Sequence, residues 1–128
     1  MALIVDIVEA VQANEFFRKV ISTGTHAQVV VMSIPTGGEI GEEVHEGVDQ
    51  VLAFTDGLGE TILEGERSTV CAGSVVHVPA GTRHNVVNRG ATPLKLWTVY
   101  APPEHADGTI HRTKAEADAD EADHFVPA

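Results

Sequence analysis

Glu43 and His45 lie two residues apart, and an extended chain sends both side chains to one face. The Glu46-Gly47 turn that follows can bring Gln50 back to the same side. His84 comes from a separate stretch, behind the turn signal Pro79-Ala80-Gly81. Two imidazoles, a carboxylate and an amide are donors to a divalent metal ion. They are equally the members of a hydrogen-bonded polar cluster inside a fold. Type and spacing leave both readings standing.

The elements that must position these residues are short strands. Ala2 to Val8 and Phe16 to Ser22 read as strands, and His26 to Ile34 (HAQVVVMSI) is the clearest one. Further strands are expected at Val51 to Phe54, Glu60 to Leu63, Ser68 to Cys71, Val75 to Val78, Asn85 to Asn88 and Leu94 to Tyr100. Asp56-Gly57-Leu58-Gly59 carries a hairpin signal, and Pro102-Pro103 is expected to end regular structure. Only Glu9 to Glu15 has a helical pattern ahead of the C-terminal segment. Many short strands punctuated by 12 Gly and 6 Pro mean an all-β sandwich or barrel. Pattern alone leaves a jelly roll, a lipocalin-like barrel and an immunoglobulin-like sandwich open.

The 128 residues fit one domain, here residues 1–113. Residues 114–128, rich in Ala, Asp and Glu, read as an acidic tail, solvated or a frayed helix. A formal net charge of -11 with 8 Lys+Arg argues against nucleic acid and anionic membranes as partners. No apolar run reaches the length of a membrane span, and the N-terminal residues lack the features of a signal peptide. A single cysteine, Cys71, points to a reducing, cytoplasmic home.

Two stretches carry a family resemblance. Gly37, five residues, Glu43-Val44-His45, four residues, Gln50, six residues, Gly57 repeats the spacing of the first cupin motif, with Glu for its first His and Gln for its Glu. Gly73, Pro79-Ala80-Gly81, His84 and Asn88 match the second cupin motif at every position. The chain therefore resembles a small single-domain cupin, which implies a double-stranded β-helix, the jelly-roll barrel of that superfamily. The resemblance implies that Glu43, His45, Gln50 and His84 occupy the four metal positions. The usual three imidazoles and one carboxylate have become two imidazoles, one carboxylate and one amide. Glu43, His45 and His84 are also the ligand types of a two-His-one-carboxylate site for Fe(II), and they suit catalytic zinc. The ion expected is a divalent one: Zn, Mn, Fe or Ni.

The function expected is a metal-dependent enzyme, dioxygenase- or isomerase-like, acting on a small molecule in the barrel. The alternative is a cupin that binds or senses a small ligand without turnover. A homodimer is expected, through outer strands such as Ala2 to Val8. Arg83, beside His84, is the one nearby cation for an anionic group. Trp97 and Tyr100 have opposite parity, so at most one faces the cavity. Gln28 and His26 share a face that looks inward or to solvent, and His77 is expected outside. His105 and His111 could close over the barrel mouth, and Cys71 reads as a small apolar residue.

Overall fold

The computed structural model describes residues 2–127. Its elements run α1 (Ile7–Ala13), β1 (Arg18–Thr23), β2 (Gln28–Ile34), β3 (Asp49–Asp56), β4 (Leu58–Leu63), β5 (Glu66–Cys71), β6 (Val75–Val78), β7 (His84–Asn88), β8 (Leu94–Ala101), β9 (Ile110–His111) and α2 (Lys114–Ala119). Six strands form one sheet in the order β6-β3-β8-β2-β1-β9, and β5-β4-β7 form a second. All ladders are antiparallel. The second sheet is widened by residues 38–43, which run along the free edge of β7 through bridges at Glu39–Val87 and Glu43–His84. The two sheets face each other as an all-β cupin barrel.

Alternation builds the interior. Along β8, Leu94, Leu96, Thr98 and Tyr100 are buried while the residues between them are not fully covered. Cross-strand register then sets the layers. Gln28 and Gln50 both pair with Tyr100, so three polar side chains form one inward row across β2, β8 and β3. The next row in from that end is Val30, Thr98 and Leu52, followed by Met32, Leu96 and Phe54. One end of the barrel is therefore polar and the rest is an aliphatic and aromatic core. The outer edge strand β5 is solvated on nearly its whole length, with only Val70 buried, which discourages edge-to-edge pairing.

Four expectations need correction. Ala2 to Val8 is not a strand: Asp6 accepts a hydrogen bond from the Glu9 N–H and starts α1 at Ile7, two residues earlier than the pattern at Glu9 suggested. Residues 2–6 carry no regular structure and are exposed. Asp56-Gly57-Leu58-Gly59 is not a hairpin, because β3 pairs with β6 and β8 while β4 pairs with β5 and β7. Gly57 is instead the corner at which the chain leaves one sheet for the other. Its φ is 97°, and a Cβ there would stand 2.8 Å from the Pro93 carbonyl oxygen and 3.0 Å from Leu94 Cα. Regular structure also continues beyond Pro102-Pro103, since β9 pairs with β1 and α2 follows it.

The acidic segment is partly helical, and two of its carboxylates pair with buried histidines, Asp123 from a buried position and Asp120 from the surface. Asp120 Oδ2 lies 2.9 Å from His111 Nε2, and Asp123 Oδ2 lies 2.6 Å from His105 Nδ1. Asp123 also accepts hydrogen bonds from the Ala106 N–H and the Thr109 hydroxyl. Burial alone raises its carboxyl pKa, but His105 and these donors outweigh that and hold it at about 2, against an ordinary 3.8. The segment thus closes over the polar end of the barrel.

Two outcomes follow. Gly57→Ala is expected to destabilise the protein by about 1–3 kcal/mol, since strain adds to a backbone clash. Gly73→Ala shares a positive φ, 93°, but has open space around it, and should cost less in the same urea titration. Equal costs would show that the Pro93–Leu94 contact does not hold the corner. For Asp123, a depressed folded pKa adds stability above the unfolded value and loses it as pH falls toward the folded one. Asp123→Asn should therefore cost on the order of 2 kcal/mol at neutral pH. The deficit should shrink between about pH 4 and about pH 2. A deficit that stays constant through that window in pH-stepped unfolding would remove the charge from the explanation.

Candidate metal and ligand site

Glu43 and His84 are brought together by backbone. Each donates its N–H to the other's carbonyl, at 2.8 and 2.9 Å, so they form a directly opposed antiparallel pair. Side chains of such a pair leave the same face of the sheet. His84 is buried, and its Nδ1 lies 2.8 Å from the Thr82 carbonyl oxygen. A carbonyl only accepts, so Nδ1 carries the proton and, in the neutral ring, Nε2 presents a lone pair to the interior.

His45 is fixed by the second motif's turn. The Gly81 N–H donates to the His45 carbonyl, and the Ala80 N–H donates to Asp49 on the strand that follows. The His45 ring is buried, with its centroid 5.2 Å from that of His84. Its Nδ1 stands 3.4 Å from Glu104 Oε1 and its Nε2 3.4 Å from Glu43 Oε2. The second approach is out of line for a hydrogen bond, and His45 Nε2 has no hydrogen-bond partner. Burial favours the neutral ring, but the carboxylates of Glu104 and Glu43 outweigh it and hold the His45 pKa above the ordinary 6.5, against Arg18, which lowers it. Reciprocally, His45 draws the Glu104 carboxyl below its usual value.

Gln50 enters from β3. Its Nε2 donates to Thr98 Oγ1 at 3.0 Å, which turns its Oε1 toward His84 Nε2 at 3.2 Å. With the Nδ1–H donated to the Thr82 carbonyl, the neutral ring sets two acceptors face to face at that contact. A ring proton or a reversed amide would satisfy them, and so would a cation.

The donor atoms suit a divalent ion in pairs. Ligand bonds of about 2.1 Å place neighbouring donors about 3.0 Å apart at octahedral angles and about 3.4 Å apart at tetrahedral ones. The 3.2 Å His84–Gln50 and 3.4 Å His45–Glu43 separations fall in that range. Among the described residues, no three His, Cys, Asp or Glu side chains converge closely enough to make a metal cluster by themselves. The oxygen and nitrogen donors and the unpartnered His45 Nε2 fit an ion; a small closing movement would be needed to bring both pairs onto it.

Tyr100 divides this end of the barrel. Its ring meets His45 edge-on at 5.7 Å and His105 edge-on at 4.9 Å between centroids. Burial pushes its phenol well above the ordinary range, so it stays neutral. Beyond it lies a cleft of about 280 Å³ whose lining includes Phe17, Arg18, Glu43, His105, Lys114 and Asp123. Gln28 holds the far rim: its amide oxygen accepts from the Glu104 and His105 N–H groups, and its Nε2 donates to the His105 carbonyl and to Thr23 Oγ1.

Other candidates lie elsewhere. His26 is exposed, as are His77, which faces Asp49, and Cys71. Arg83 pairs with Glu42 at 3.0 Å at the surface and lines a second depression that His84 also borders. Asn88 ties down a turn, donating to the Ile34 and Thr92 carbonyls. Sequence reasoning missed Arg18, Thr98 and Glu104. Arg18 shares the inward parity of Val20, and Thr98 that of Leu96 and Tyr100, so strand alternation could have flagged both. Glu104 follows a proline pair and gives no such signal.

Comparison with known proteins agrees with this architecture. The cupin domain family model, Cupin_2, matches residues 30–100. Protein YrkC of Bacillus subtilis is 44% identical over 124 residues, which is 92% of this chain and 67% of that one. The crystal structure of BH2720 from Bacillus halodurans superposes with a TM-score of 0.92 at 40% identity, covering 94% of this chain and 96% of the other. A double-stranded β-helix protein from Klebsiella pneumoniae shares the fold alone, with a TM-score of 0.70 at 24% identity over 88% of this chain and all of its own (100%). Barrel, both motifs and the matched span agree, and the chain belongs to the cupin domain family.

Proposed function

We propose that this cupin is a metal-dependent enzyme acting on a small molecule held in the mouth of its barrel, with Glu43, His45, Gln50 and His84 holding the ion. The observation that carries this reading is the buried approach of His84 Nε2 to Gln50 Oε1, 3.2 Å apart beside the unpartnered Nε2 of His45. Lone pairs that face each other in a dry interior repel unless a proton or a cation sits between them. A mixed oxygen and nitrogen set suits Zn, Mn, Fe or Ni and does not choose among them.

When bound, such an ion supplies Lewis-acid polarisation of a carbonyl or hydroxyl oxygen, or a place for O2, which are the chemistries of isomerase- and dioxygenase-like cupins. The protein's own residues prepare the site. Thr82 fixes the His84 tautomer through its carbonyl, Thr98 aims Gln50, and Glu104 orients His45 from the opposite ring nitrogen. The aliphatic rows beneath Gln50 and Tyr100 exclude water from below. Tyr100 gives the substrate a neutral, rigid wall.

A second reading has its own support. The two donor pairs do not close round one point, so the barrel could bind a small ligand without turnover. The reducing cytoplasm is the compartment a lone exposed cysteine suits. Among the described residues no helix is long and apolar enough to cross a membrane. The expected homodimer no longer rests on an N-terminal strand edge. It rests on the exposed apolar side chains of Leu3, Ile4, Val5 and Val8, with Ile4 93% exposed. Light scattering at micromolar concentration should return twice the chain mass, and a monomer would remove the dimer.

Elemental analysis of protein purified without a nickel column or chelator should find near-stoichiometric divalent metal in the wild type and its loss in His84→Ala. Equal metal in both would sink the ligand assignment. Gln50→Glu should tighten a hard divalent ion by about tenfold, since a carboxylate replaces a neutral carbonyl at the same position. Unchanged affinity would place Gln50 outside the ion's shell. A metal-loaded wild type that turns over no hydroxy-carbonyl or oxidisable substrate, in air or without oxygen, would favour the binding reading.

A further inference from the structure

We infer that the cleft beside the proposed metal position is a subsite for the carboxylate of a small organic acid, with the Arg18 guanidinium as its anchor. The inference rests on the reading of this barrel end as a small-molecule site and names the class of molecule. It begins with a charge that has no counter-ion. Arg18 is 6% exposed, yet among the described residues it pairs with no carboxylate. Its Nη1 makes a 3.3 Å contact to His111 Nδ1, a neutral acceptor, because His111 Nε2 is turned to Asp120. Its Nε is buried without any partner.

Carboxylates are plentiful here, since Glu42, Glu43, Asp118 and Asp123 all line the cleft, yet among the described residues none forms an ion pair with the guanidinium. A buried guanidinium without an anion costs several kcal/mol in general, and proteins retain such groups where a ligand completes them. The neighbouring charges are already matched. Lys114 pairs with Asp118 at 2.8 Å, and Asp123 is held by His105, Thr109 and Ala106. Glu43 leans toward His45. Glu42 pairs with Arg83. Of the two cations that line the cleft, Arg18 is therefore the one without a carboxylate partner among the described residues. His105 lines it too, with a buried Nε2 that lacks a partner and offers the ligand a second polar contact.

Size selects a small carboxylate over a phosphate ester. A guanidinium fork pairs either anion side by side through two nitrogens. The cleft, about 280 Å³, sits at the lower end of ligand pockets, so it admits a small acid rather than a nucleotide or a phosphosugar with its larger shell of charge. Glu43 belongs to both the cleft and the proposed ion-binding set, so an acid anchored on Arg18 would extend its other end toward His45 and His84.

The test uses metal-free protein and titrates acetate, malonate and succinate by calorimetry, with malonamide as the neutral isostere. Wild type should bind at least one acid saturably at millimolar concentration or below, and malonamide not at all. Folded Arg18→Gln should weaken that binding by about tenfold or more. Should Arg18→Gln fail to fold, Arg18→Lys keeps the charge, loses the fork and should still bind measurably more weakly. Elemental analysis of the same wild-type preparations before and after metal removal separates failure of the subsite from failure of the metal reading, since acid binding to metal-free protein is required whatever the metal content proves to be. The inference is overturned if none of the three acids binds wild type, if malonamide binds equally well, or if folded Arg18→Gln binds as wild type does.

Discussion

The opposed backbone pair of Glu43 and His84 is the constraint on which the site depends. It joins a segment outside any long strand to the free edge of β7 and sets a carboxylate and an imidazole on one face. The Gly81 N–H to His45 carbonyl bond does the same work one layer away. Together they couple the two conserved-spacing stretches through main chain, whose geometry is far less adjustable than that of side chains. A backbone hydrogen bond contributes only about 1 kcal/mol net, but leaving one unmade in a buried setting costs more. The register of the site is therefore protected by the cost of every alternative register. A slip of one residue at Glu43 would turn its carboxylate outward and Val44, now exposed, inward.

Polarity at this end has to be held against a core that continues directly beneath it. Gln28 shows how. It is fully buried, and both ends of its amide are engaged by the chain that follows Pro102-Pro103. That converts a costly buried amide into the fastening for Glu104 and His105. Thr98 does likewise for Gln50. Among the described residues, the buried side-chain atoms left without any such partner are Arg18 Nε, His45 Nε2 and His105 Nε2, and all three belong to residues of the barrel mouth.

Much of this was legible in the sequence. Strands β2, β6 and β8 stand close to their expected limits because alternation and β-branched runs are local signals, and Gly47 and Gly81, both at positive φ, lie in the expected turns. Glu43, His45, Gln50 and His84 do gather at one end of the barrel, as motif spacing suggested. The failures share a cause. Whether Asp56-Gly57 closes a hairpin or turns a corner depends on which sheet receives the next strand, a non-local fact. Whether Leu3 to Val8 extends or coils depended on Asp6 as a cap, a preference of about 1 kcal/mol that a β-branched run obscures. The pairing of Asp120 and Asp123 required knowing that two buried histidines lay within reach.

Tyr100 explains why one end of a small barrel can hold two different chemistries. Its ring stands edge-on to His45 on one side and to His105 on the other, and burial keeps its hydroxyl neutral. Ring edges carry partial positive charge and faces partial negative charge, so two perpendicular contacts fix the imidazoles without tying up their nitrogens. The positive guanidinium of Arg18 lowers the proton affinity of His45, while Glu43 and Glu104 raise it. A cation bound among Glu43, His45, Gln50 and His84 would therefore be stabilised by carboxylates on its own side, and an anion in the cleft by the guanidinium on the other.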